Sequence, residues 1–69
     1  MIINKIDEIL KKQNKSIYWL AQQTGMSYSN LHKTIKDKNR TINFDNLDKI
    51  MKALEITDFN EILELIDDE

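Results

Sequence analysis

The sequence predicts an all-α fold, and three observations predict it. The chain has no Pro and one Gly, Gly25, so the usual punctuation of a β-rich chain is missing. Its apolar residues recur at spacings of three and four rather than two. Its 69 residues include no Cys, so stability is expected to come from economical packing, for which helices are the natural route, or from oligomerisation. A chain of this size buries only about 60 % of its unfolded surface.

The elements follow in order. Ile2, Ile3, Ile6, Ile9 and Leu10 place a first helix over about 2–12, and the polar run Lys11 to Lys15 reads as a connection. Ser16 is a natural N-cap, Ile17, Leu20, Ala21 and Thr24 keep the helical spacing, and Gly25 suits a left-handed stop, giving a second helix over 17–24. Ser27 caps a third helix over 28–36, with Leu31 and either Thr34 or Ile35 turned inward. Tyr28, Ser29, Asn30, His32, Lys33 and Lys36 remain for its outer surface. A loop through Lys38, Asn39, Arg40 and Thr41 follows. Asn43 then caps a fourth helix over 44–54, with Phe44, Leu47, Ile50, Met51 and Leu54 as its apolar stripe. A fifth helix is expected over 58–66, where Asp58 and Glu61 have capping-box spacing and Phe59, Ile62, Leu63 and Ile66 form a core stripe.

Composition narrows function. At 41 % hydrophobic and 32 % charged residues, the chain reads as one small globular domain over 1–69. The absence of Cys excludes a thiol nucleophile, a disulfide framework and a Cys-based zinc site. A single His32 forms no metal cluster and has no triad around it, so no catalytic residue, metal or cofactor is expected, and no enzyme. The Met-Ile-Ile-Asn-Lys start lacks a signal-peptide hydrophobic run, and no apolar stretch approaches the ~20 residues that cross a bilayer. A cytoplasmic protein without a membrane partner is expected.

The net charge of -2 conceals two opposed halves. Residues 1–40 hold eight basic and three acidic side chains, or +5; residues 41–69 hold two basic and nine acidic, or -7. The third helix belongs to the positive half, as an electrostatic footprint on nucleic acid requires.

Two short helices joined by a tight turn at a lone glycine, the second exposing small polar and basic groups, have the form of a DNA-reading helix-turn-helix. Ala21 is small where the helices cross, Gly25 accepts positive φ, and Leu20, Met26 and Leu31 lock the pair. Three strings carry a wider resemblance: Leu20-Ala21-Gln22-Gln23-Thr24-Gly25-Met26-Ser27, then Ser29-Asn30-Leu31, then Ile42 to Ile50 with Ala53-Leu54. On these, residues 16–66 resemble the phage repressor and Cro-type helix-turn-helix family, a five-helix bundle of the lambda-repressor-like type.

The resemblance implies that the third helix enters the major groove. Base contacts would fall to Tyr28, Ser29 and Lys33, with Asn30 and His32 at the edges. Backbone contacts would fall to Lys15, Ser16, Lys36, Lys38, Asn39 and Arg40. The partner implied is a double-stranded operator with two-fold symmetry, read by a homodimer whose third helices stand ~34 Å apart. Two departures are visible. Ile17 stands where the family often has a phosphate-contacting Gln, and Leu10 and Ile35 stand where many members have an Arg–Glu pair. Tyr18 and Trp19 read either as core packing or as a partner surface, and Phe59 and Leu65 as possible protein contacts. Acidic neighbours of Leu65 would repel across a two-fold axis unless they splay outward. Besides a repressor, the fold suits an antirepressor or modulator engaging a second regulator protein, or an antitoxin.

Overall fold

The computed structural model describes residues 1–67; Asp68 and Glu69 of the acidic run lie outside the described residues. The order of elements is β1 (Ile2–Asn4), α1 (Ile6–Gln13), α2 (Ile17–Thr24), α3 (Tyr28–Lys36), α4 (Phe44–Ala53), α5 (Phe59–Ile62) and β2 (Leu63–Leu65). Among the described residues, five helices form the predicted bundle, with a two-stranded sheet added. Each of α2, α3 and α4 begins at the residue its cap dictates. The hydroxyl of Ser16 accepts from the Trp19 amide at 2.9 Å, that of Ser27 from Asn30 at 3.1 Å, and the Asn43 side-chain oxygen from Asn46 at 2.8 Å.

Gly25 ends α2 at φ +73, with its amide bonded to the Ala21 carbonyl. Thr24 completes the turn: its hydroxyl donates to Leu20 O at 2.8 Å and accepts from the Met26 amide at 3.2 Å. No heavy atom lies within 4 Å of where a Cβ on Gly25 would stand, so a substitution there meets only backbone strain. Gly25→Ala is expected to cost about 1–2 kcal/mol in thermal unfolding, the usual penalty for a left-handed L-residue. Gly25→Asn should recover part of it. A larger loss would mean that the turn is held by contacts not recognised above.

The ends of the chain depart from the all-helical expectation. Ile2–Asn4 is not the first turn of a helix over 2–12 but a strand, paired antiparallel with Leu63–Leu65 in the register Ile2↔Leu65, Ile3↔Glu64, Asn4↔Leu63. The expected helix over 58–66 is therefore reduced to Phe59–Ile62 before the chain extends. The physical reason is non-local. The Lys5 amide donates to Ile62 O at 2.7 Å and the Ile66 amide to Met1 O at 2.8 Å, a ladder available only once the bundle has brought the two segments together. The expected capping box is not formed either: the Asp58 carboxylate accepts from the Asn60 amide at 2.9 Å, and the Glu61 amide bonds to the Asp58 backbone.

The core is one cluster built from Ile6 and Leu10 of α1, Leu20 and Ala21 of α2, Leu31 and Ile35 of α3, Leu47, Ile50 and Met51 of α4, then Leu54, Ile56 and Ile62. Leu10 and Ile35 are both buried in it, so the place of the family's ion pair is apolar. Thr34 is buried together with Ile35 rather than instead of it. Two stripes need correction. Phe44 is 88 % exposed on the first turn of α4, and of the expected fifth-helix stripe only Ile62 is buried, with Leu63 and Ile66 half-buried and Phe59 exposed. Among the described residues no helix is long and apolar enough to cross a membrane.

Candidate nucleic-acid interface

α2 packs against both α3 and α4, and this fixes which side of α3 is free. Leu31, Thr34 and Ile35 face inward, so Tyr28, Ser29, Asn30, His32, Lys33 and Lys36 all lie exposed. Tyr28, Ser29, His32 and Lys33 together line a shallow depression on that surface. The Tyr28 and His32 rings, one turn apart, stand 5.9 Å centre to centre and 31° from coplanar. The surface thus offers hydroxyl, amide, imidazole and ammonium groups along one helical face, the group types that can hydrogen-bond base edges.

Two cationic groups flank the helix pair along the chain. Lys15 precedes α2 and holds its ammonium 4.4 Å from the centre of the Trp19 ring, a cation–π contact. Ser16 is exposed and uses its hydroxyl oxygen to cap α2. At the far end, the Asp37 amide closes α3 on Lys33 O at 2.8 Å and the Arg40 amide bonds to Asp37 O at 3.0 Å, making a tight exit turn. Lys36, Lys38, Asn39 and Arg40 lie exposed around this turn. Asn39 is exposed and donates one Nδ2 hydrogen to Ile2 O at 2.9 Å, a bond that leaves its second N–H in hand.

The candidate protein contacts separate. Tyr18 is exposed and accepts from Gln22 Nε2 at 3.3 Å, whereas Trp19 is half-buried against the core. Phe59 and Leu65 are exposed. Phe59 lines an apolar groove with Phe44, Leu47, Met51 and Ile56, between α4 and α5. The periodicity hid Phe44, because its spacing from Leu47 and Met51 is that of a core residue while its place on the first turn lets it project past the bundle. Asn4 was also missed; its side chain reaches the exit of α3, and nothing in a lone asparagine between Ile3 and Lys5 signals that.

The family model for the Cro/C1-type HTH DNA-binding domain matches residues 5–68. Among solved structures, the chain is similar to the crystal structure of "a putative DNA-binding protein from Bacteroides fragilis" at 25 % identity and a TM-score of 0.79, over 93 % of this chain and 100 % of that one. None of the curated proteins matches. The match spans the helix pair, its caps and the core that holds α3 outward: the chain belongs to the Cro/C1-type helix-turn-helix DNA-binding family, as a DNA-binding regulator.

Proposed function

We propose that the protein is a cytoplasmic, phage- or prophage-type repressor of the Cro kind, acting as one domain that reads the major groove with α3. The observation that carries the reading is the single polar and basic face left on α3 once Leu31, Thr34 and Ile35 are buried. Tyr28, Ser29 and Lys33 would touch bases, with Asn30 and His32 beside them, and Lys15, Ser16, Lys36, Lys38, Asn39 and Arg40 would touch phosphates. Two copies on a two-fold operator would block a promoter. The exposed Phe44 and Phe59 give a second copy an apolar surface to cover. The same groove supports the other reading, a modulator or antitoxin that holds a second regulator protein there.

The test is selection of sites from a random-sequence duplex pool by the unmodified protein and by Lys33→Ala. The repressor reading expects a palindromic site and, in the variant, preference relaxed at one position per half-site by about 1–3 kcal/mol. Absence of duplex binding at low salt would sink it. Retained DNA binding with no site preference, together with a stoichiometric protein partner lost in Phe59→Ala, would favour the modulator.

A further inference from the structure

The hydrogen bonds of Asn4 point to a role that deepens the interface and rests on the reading of it just given. Asn4 is 2 % exposed, so its side chain cannot meet DNA. Its Nδ2 donates to Thr34 O at 3.0 Å and to Lys38 O at 3.4 Å, and its Oδ1 accepts from the Ile6 amide at 3.2 Å. Its own backbone amide donates to Lys38 O at 2.8 Å. One residue thus joins the start of α1 to two carbonyls at the exit of α3. Thr34 O lies in the last turn of α3, where carbonyls have no partner within the helix. The neighbouring tether, Asn39 Nδ2 on Ile2 O, ties the same exit turn to the same strand.

We propose that Asn4 is a positioning residue for DNA binding: it holds the 38–40 turn on β1, so that Lys38 and Arg40 stand at a fixed place beside the exposed face of α3. Released from this tether, a basic turn must be ordered when DNA binds at a cost that exceeds what its phosphate contact returns, so the contact is lost from the complex. The Asn4 contacts order the turn beforehand. The residue type follows from the task. A carboxamide offers both donor and acceptor at this reach, a carboxylate offers acceptors alone, and an alkyl group offers neither. The Ile6 amide needs the acceptor and the α3 exit needs the donor.

Asn4→Asp separates the two tasks, since it keeps an acceptor for Ile6 and removes the donors; Asn4→Ala removes both. Ile9→Val, at a half-buried position of α1 packed against the core, serves as a packing control expected to leave the slope unchanged. Binding to a random-sequence duplex is measured across salt concentrations, with Arg40→Ala alone and combined with Asn4→Ala. Both Asn4 variants are expected to bind about tenfold more weakly with a salt slope lower by about one, although Asn4 touches no phosphate. Arg40→Ala should add little in the Asn4→Ala background. An unchanged slope, or additive effects of the two substitutions, would overturn the proposal. Should the Asn4 variants not fold, amide hydrogen exchange on the unmodified protein decides: DNA should slow exchange at the Asn4 amide more than at Leu10, and equal slowing overturns it. If Lys38→Ala and Arg40→Ala leave the slope of the unmodified protein untouched, the reading of the interface itself falls, and the positioning role with it.

Discussion

Leu31→Ala is expected to remove about 3 kcal/mol from the unfolding free energy, within the ~2–5 kcal/mol that deleting a fully buried leucine costs. Leu31 is 0 % exposed on the inner face of α3, in the core cluster it shares with Leu20 and Ile35. Its side chain is part of what keeps the exposed face of α3 outward. At about 0.05–0.15 kcal/mol per residue, a chain of 69 residues has roughly 3–10 kcal/mol in total. One such cavity therefore consumes a large share of the margin, and no disulfide is present to compensate. Urea denaturation followed by far-ultraviolet circular dichroism measures the loss directly. Leu31→Met, which conserves volume, should lose less than about 1.5 kcal/mol. Equal losses in the two variants would mean that the site tolerates no change of shape at all.

Replacing Lys15, Lys36, Lys38 and Arg40 together by Gln is expected to weaken duplex binding by about a thousandfold near ~0.1 M salt. Each phosphate contact releases counterions and contributes ~0.9 to the slope of log affinity against log salt, so four lost contacts lower the slope by about 3 to 4. All four side chains are exposed, so the fold should keep its melting temperature within a few degrees. A slope that drops by one or less would show that most of these cations do not meet the backbone. The counterpart, Lys49→Gln with Lys52→Gln on α4, should leave the slope near its original value.

The helix pair α2 and α3 was legible in the sequence because its limits are local. Ser16, Gly25 and Ser27 each act within a turn of their own position, and α2 begins and ends, and α3 begins, where those residues place them. The family resemblance was legible for the same reason, since Leu20, Ala21, Gly25 and Leu31 meet their requirements within one short segment. The terminal sheet was not. Ile2 and Ile3 continue the spacing of Ile6 and Ile9, so a helical period extends smoothly across residues that pair with a strand some sixty positions away. Two signals did point to extension: the β-branched pair Ile2-Ile3, and the alternation Leu63-Glu64-Leu65. Each is too short to outweigh a helical stripe without knowledge of the partner strand. At the candidate interface the exposed groups of α3 follow from periodicity alone. Asn4, by contrast, acts through carbonyls thirty and more residues away, which no local pattern encodes.

The chain has one tryptophan, and the contact of Lys15 with it has a practical consequence. Indole emission responds to a charge held against the ring, and the ammonium 4.4 Å from the Trp19 centroid is such a charge. A phosphate that draws Lys15 away from the ring alters that field without disturbing the core on which Trp19 leans. If Lys15 meets the DNA backbone as proposed, binding would change Trp19 emission, and the domain would carry its own optical reporter at the entrance to α2.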